Sequence, residues 1–193
     1  MDSEAIYHSL NNISQITTEA WADFEPLLMP LALQRHDYLV QEGARVSDCF
    51  MLLEGIVRVF YNKDGNEYNK TFFVPGKFPT ALTALISETP SALSFQALTP
   101  CELVQFSFLD FKGLFTKHRC WESLLLRVLE TEWIKKERHD IRMVTNDALT
   151  NYLIFRKEFP DLENLIPQYH IASYLGITPI QLSRIRSQLV KER

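Results

Sequence analysis

The sequence predicts an α+β fold: an antiparallel barrel or sandwich, then one long helix, then a pair of short helices around a tight turn. Three observations carry this. From about Asp37 to Phe111, short runs of Val, Ile, Phe, Leu and Tyr alternate with glycine-marked turns. Cys120 to Val144 contains no Pro or Gly. Ile171 to Leu189, IASYLGITPIQLSRIRSQL, places two amphipathic segments on either side of Gly176.

The elements follow in order. Thr18 is placed to cap a helix whose stripe is Ala20, Trp21, Phe24, Leu27 and Leu28, and Pro30 ends it. DYLVQEG closes a first strand on Gly43. Asp64-Gly65 is a tight-turn dipeptide between IVRVFY and EYNKTFFV. TALTALISE reads as a short helix interrupting the strands, and SALSFQALTPCELVQFSF adds two strands around Thr99-Pro100. A helical region starts at Leu109. The Cys120–Val144 helix would be about 37 Å long. Its apolar residues Trp121, Leu124, Leu125, Val128, Leu129, Trp133, Ile141 and Val144 cover more than one narrow stripe. One side can lie on the barrel; the charged middle favours a second copy on the other. ALTNYLIFRKEF is a further helix, ended by Pro160.

Composition bounds the function. The chain has 193 residues, 46% of them hydrophobic, which supports a core and excludes general disorder. No apolar run reaches the roughly 18 residues of a membrane span. MDSEAIYHSL lacks the basic and apolar parts of a signal peptide, so a cytoplasmic location is expected. Cys49, Cys101 and Cys120 share no C-x-x-C spacing, and no histidine stands in H-x-H or H-E-x-x-H. No metal, cofactor or catalytic set is expected. The formal net charge is -4, but residues 1–118 hold 8 basic and 14 acidic side chains, while Asn164 to Arg193 holds four basic and one acidic. A small basic end is left to approach phosphates.

That end meets the needs of a DNA-reading helix pair. Ala172 is small where the helices cross, and Gly176 stands where the turn needs a positive φ. Ile171, Leu175, Ile177, Leu182, Ile185 and Leu189 supply the inner face. Thr178 caps the second helix, Pro179 suits its first position, and Gln181 completes a capping box. Thr178, Pro179, Ile180, Ser183, Arg184 and Ser187 then point outward. Arg184 can donate twice to guanine, and Ile180 can touch a thymine methyl. Ser183, Ser187, Gln168, Tyr169 and Arg186 suit phosphates.

LLEGIVRVFY, FFVPGKF and PSALSFQALTPCELVQFS, followed by the long helix and IPQYHIASYLGITPIQLSRIRSQL, resemble the Crp/Fnr family of bacterial transcription regulators. The last phrase is similar to the helix-turn-helix of many Bacteroidetes members. The resemblance implies a cyclic nucleotide-binding-like β-roll (a double-stranded β-helix) over 1–118, a dimerisation helix over 119–145, and a helix-turn-helix domain over 146–193. It implies a homodimer paired through the 120–144 helix, with double-stranded DNA and RNA polymerase as partners and no membrane.

Departures from the family pattern bear on the input. Cyclic-AMP-binding members carry a Gly-Glu pair and an Arg followed by Ser or Thr; the matching positions here are Thr80, Ala81, Ser91 and Ala92. No cation remains there to meet a phosphate, so cyclic AMP is not the expected effector. Arg58 is the one candidate to compensate from a neighbouring strand. No Cys precedes Cys49, so an iron-sulfur cluster has no support. His36 is a lone candidate haem ligand, and such a His is more often structural. A small, uncharged pocket lined by Thr80, Ala81, Leu82, Leu85, Ser91 and Ala92 remains, open to an apolar effector or packed solid. Relatives often follow the recognition helix with a β-hairpin wing, for which VKER has no room, and often carry Glu where Ile180 stands. Two rivals are an interaction scaffold that has lost DNA binding and a cupin-like β-barrel enzyme, which would need a His and carboxylate metal set.

Overall fold

The computed structural model describes residues 2–191; Met1, Glu192 and Arg193 lie outside the described residues, the last two having been counted in the basic end. Helix α1 (Ser3–Asn11) is capped by Asp2, and α2 (Thr18–Phe24) by Thr17, whose Oγ1 accepts from the Ala20 N–H at 3.2 Å. The expected helix to Pro30 stops sooner. It passes into a 3-10 turn at Glu25–Leu27, and Pro30 lies inside strand β1 (Met29–Leu33). β1 pairs only with the last strand and so is an edge, where a residue lacking an N–H is tolerated. MPLAL has no β-branched residue, which hides it from pattern reading.

The remaining strands are β2 (Tyr38–Val40), β3 (Asp48–Glu54), β4 (Val57–Lys63), β5 (Asn66–Phe73), β6 (Ser94–Ala97) and β7 (Cys101–Ser107), with helix α3 (Leu82–Ser87) between β5 and β6. They form two antiparallel sheets, β1-β7-β3 and β2-β6-β4-β5. Asp64 and Gly65 both have positive φ, 54° and 83°, as the expected two-residue hairpin turn demands. Gly55, at φ +91°, joins β3 to β4; a Cβ there would lie 2.3 Å from the Pro100 carbonyl oxygen, so only glycine lets the two turns touch.

Strand alternation divides the side chains between two cores. Phe50, Leu52 and Leu103 join Val57, Val59, Phe95 and Ala97 between the sheets. Cys49, Met51, Val104 and Phe106 face the other way, onto α1, α2, α4 (Phe108–Gly113) and the start of α5 (Arg119–Thr145). Trp121 is fully buried there, its ring centroid 4.5 Å from that of Phe24 and 5.8 Å from that of Phe111. Asp23 ties α2 to this helix start, with Lys117 Nζ and His118 Nε2 each 2.6 Å from its Oδ2.

Beyond Leu124, no residue of α5 is buried. Leu126, Leu129, Trp133, Ile141 and Val144 are exposed, Trp133 to 68%, and at 100° per residue they share one face. At its far end α5 meets the terminal helices. Arg142 donates two bonds to the Glu158 carboxylate, and the His139 ring lies against Tyr174. Helices α6 (Ala148–Glu158), α7 (Leu162–Leu165), α8 (Gln168–Tyr174) and α9 (Pro179–Lys191) enclose a third core, which includes Ile56, Phe72 and Leu98 of the β strands. The terminal helices therefore pack onto their own barrel.

Candidate nucleic-acid interface and sensor cavity

The α8–turn–α9 unit is built from local rules. Gly176 has φ +66°, and a Cβ on it would press Met143 Cε at 3.1 Å. The Ile177 N–H donates back to the Ala172 carbonyl at 3.0 Å, closing α8. Thr178 Oγ1 accepts from the Gln181 N–H at 3.2 Å, and Gln181 Oε1 accepts from the Thr178 N–H at 3.0 Å. These are the two reciprocal bonds of a capping box. Ile171, Ala172, Leu175 and Leu182 are buried, with Ile177, Ile185 and Leu189 packed against them.

The opposite face is open. Thr178, Pro179, Ile180, Ser183, Arg184 and Ser187 are all exposed, Ile180 to 67%. Arg184 has no ion-pair partner among the described residues. It borders a shallow depression with Ser183, Ser187, Gln188 and Lys191. Lys191, in the last turn of α9, adds a second cation beside Arg184.

The flanking candidates divide. Tyr169 is exposed. Gln168 is turned inward: its Nε2 donates to the Glu163 carbonyl at 2.8 Å, and its Oε1 is buried. Arg186 is half-buried, with Nε 4.0 Å from Glu163 Oε2. The same carboxylate takes Arg156 Nε at 2.9 Å and the Tyr152 hydroxyl, whose pKa burial and Glu163 push up to about 12. Gln168 and Arg186 thus brace the helix unit more than they face outward.

A cavity of about 370 Å³ runs from the space between the sheets, at Val59, Ala81 and Phe95, to the layer beneath α1, α2 and α5, at Leu10, Phe24 and Leu124. Thr80, Ala81, Leu82, Ser91 and Ala92 line it as expected, while Leu85 does not. Most of the wall is apolar, including Phe24, Met51, Phe78, Phe95, Phe106 and Leu124. The space is therefore not packed solid. Nor is it free of charge, since Lys70, Lys77 and Glu132 also line it, all three exposed. Its inner hydroxyls are satisfied from within: Thr80 Oγ1 accepts from the Phe50 N–H at 2.9 Å, and Ser91 Oγ donates to the Leu93 carbonyl at 2.7 Å.

Arg58 is not a cavity residue. On β4 it alternates with Val57 and Val59, which point into the barrel, so its side chain leaves by the outer face. There it is buried under α8. Its Nε and Nη2 donate to Gln96 Oε1 at 2.9 and 2.6 Å, and its Nη1 to Glu67 Oε2 at 2.5 Å. Nη1 also lies 3.2 Å from His170 Nδ1. Its guanidinium carbon stands 3.8 Å over the Phe60 ring. His36 is likewise outside the cavity, exposed on the β1–β2 turn at φ 77°.

Burial, then the charges of Arg58, His36 and Arg35, hold the His170 imidazole down to about 3. Its value free of these surroundings is 6.5, so on acidification the unfolded chain takes up the proton first. The folded protein should lose stability as pH falls from about 6.5 towards 3, by about 2 kcal/mol at pH 5. His139, also depressed mainly by burial, acts in the same direction. Urea unfolding at pH 8 and pH 5 checks this: His170→Gln should lose about 2 kcal/mol less than wild type over that interval. An unchanged pH dependence would show that His170 titrates normally.

Residues 30–118 match the family model described as the cyclic nucleotide-binding domain. No curated protein matches the chain by sequence. Among solved structures, FixK2 from Bradyrhizobium japonicum matches with a TM-score of 0.73 and 17% identity, covering 86% of this chain and 85% of that one. The c-di-GMP responsive global regulator CLP from Xanthomonas campestris matches at 0.71 and 14% identity, covering 91% and 93%. A CooA mutant from Carboxydothermus hydrogenoformans matches at 0.71 and 16%, covering 96% and 84%. The fold is shared with these proteins along most of its length.

Proposed function

We propose that the chain is a homodimeric, sequence-specific DNA-binding transcription regulator of the Crp/Fnr type, acting in the cytoplasm. The carrying observation is the exposed outer face of α9, where Arg184 has no ion-pair partner among the described residues, on a helix whose start is fixed by a capping box. The unpartnered apolar face of α5 supports pairing through the 120–144 helix. On this reading 1–118 senses, 119–145 couples and pairs, and 146–193 reads DNA, with RNA polymerase as a further partner. One fold relative is described as a global regulator linked to gene expression, which accords with this role.

Binding of the protein to a duplex from its own operon's promoter tests the reading. Arg184→Ala should weaken it about 5- to 150-fold, the equivalent of 1–3 kcal/mol for a lost bidentate base contact. Affinity should also fall steeply with salt. Equal binding by the two proteins would remove Arg184 from base reading.

The effector is not cyclic AMP. The cavity offers no carboxylate at position 81 to hold a ribose and no guanidinium at 91 or 92 to neutralise a phosphate. Lys70 and Lys77 sit exposed, where water already solvates them. The apolar wall suits an apolar molecule instead. Cyclic AMP at 1 mM should leave the melting temperature unchanged within about 1 °C, because ligand at about 100 times its Kd would add roughly 2.7 kcal/mol. A rise of several degrees would contradict this. Among the described residues, no three His, Cys, Asp or Glu side chains gather as a metal set.

A further inference from the structure

We propose that Arg58, Asn69 and Ser173 are positioning residues that clamp the DNA-reading helix to its own β-roll and thereby set the spacing of the half-sites the dimer accepts. This rests on the DNA-binding reading above.

The clamp sits on a sheet edge. β5 is the last strand of β2-β6-β4-β5, so its outer N–H and C=O groups have no neighbouring strand. Ser173 of α8 takes that place. Its Oγ accepts from the Asn69 N–H at 3.0 Å and donates to the Glu67 carbonyl at 2.9 Å. Asn69 Nδ2 adds a bond to the His170 carbonyl at 3.2 Å. Arg58 lies beneath, joining Gln96, Glu67 and His170 across the same junction. Arg58, Asn69 and His170 are all buried. An arginine buried between a sheet and a helix is tolerated only with its partners in place, so this contact has one geometry rather than many. Phe72 backs it by packing on Phe155 and Tyr174.

A fixed α8 means a fixed α9, because the two are joined by the rigid Gly176 turn and share one core. The reading face stays exposed throughout, so the clamp aims it without covering it. The same hairpin faces the cavity on its other side, through Val59, Thr71 and Phe73. Its register shifts at this point: Val59 pairs with Thr71 but Phe60 with Asn69, leaving Lys70 as an extra residue. A molecule pressing on Thr71 therefore acts two residues along the strand from Asn69 of the clamp. This is a route from cavity to reading helix within one chain, separate from the long helix.

Duplexes carrying two selected half-sites, with their separation varied one base pair at a time, test the inference on wild type, Ser173→Ala and Arg58→Met. Wild type should favour one spacing by about tenfold or more, since dimeric readers accept half-sites at a fixed separation. Both variants should keep their half-site sequence but spread over spacings, with a preference below about threefold. A general loss of stability would not relax spacing. If Arg58→Met does not fold, Ser173→Ala decides alone, because it leaves the buried arginine paired. Unchanged spacing preference in Ser173→Ala would overturn the clamp while leaving DNA binding intact; a wild type that binds no duplex would overturn both.

Discussion

Replacing both Leu126 and Trp133 by glutamate should convert the protein to a monomer and lower its affinity for a two-half-site duplex by at least about 100-fold. Leu126 is 56% exposed and Trp133 68% on a helix whose first turns alone are buried. A large apolar stripe left in water marks a contact surface. Burying each such side chain contributes about 1.5–3 kcal/mol, which a carboxylate both forfeits and reverses through its desolvation cost. A monomer holds one half-site at a time and loses the gain in effective concentration from linking two. Sedimentation would read the oligomeric state and fluorescence anisotropy the DNA affinity. A double variant that remains dimeric would move the pairing surface off α5.

Trp121→Ala should lower unfolding stability by about 4 kcal/mol. The ring is fully buried among Phe24, Phe111 and the first turn of α5, so truncation leaves a void where the helix joins the barrel. Trp121→Phe should cost clearly less. The indole Nε1 has no hydrogen-bond partner among the described residues, so the smaller ring gives up packing but no polar bond. Denaturant unfolding of the two variants checks the order. Equal losses would mean that ring packing at this position does not set the cost.

What the sequence made legible was local. Asp64-Gly65 needs two left-handed residues, and Thr178 with Gln181 can close only one kind of helix start; both are where they were expected. The long helix and its apolar faces follow from periodicity alone. What stayed hidden depends on contacts distant in sequence. β1 forms because β7 offers it a partner, against the preference of MPLAL. Arg58 is a candidate for the cavity only while its strand neighbours are unknown; alternation sends it to the outer face, where it meets His170, 112 residues away. Lys70 reaches the cavity through a shift in strand register that no residue of EYNKTFFV announces. The docking of α8 on the β5 edge rests on the Ser173 hydroxyl, which looks like any other polar surface residue in the sequence.

Selection of bound duplexes from a random-sequence pool by the full-length protein tests the central claim most directly. The account predicts enrichment of a two-fold symmetric motif whose half-sites are about one helical turn, roughly 34 Å, apart. The guanine facing Arg184 should lose its enrichment when selection is repeated with Arg184→Ala. A pool that emerges with no enriched motif would contradict the account and leave the helix pair a scaffold.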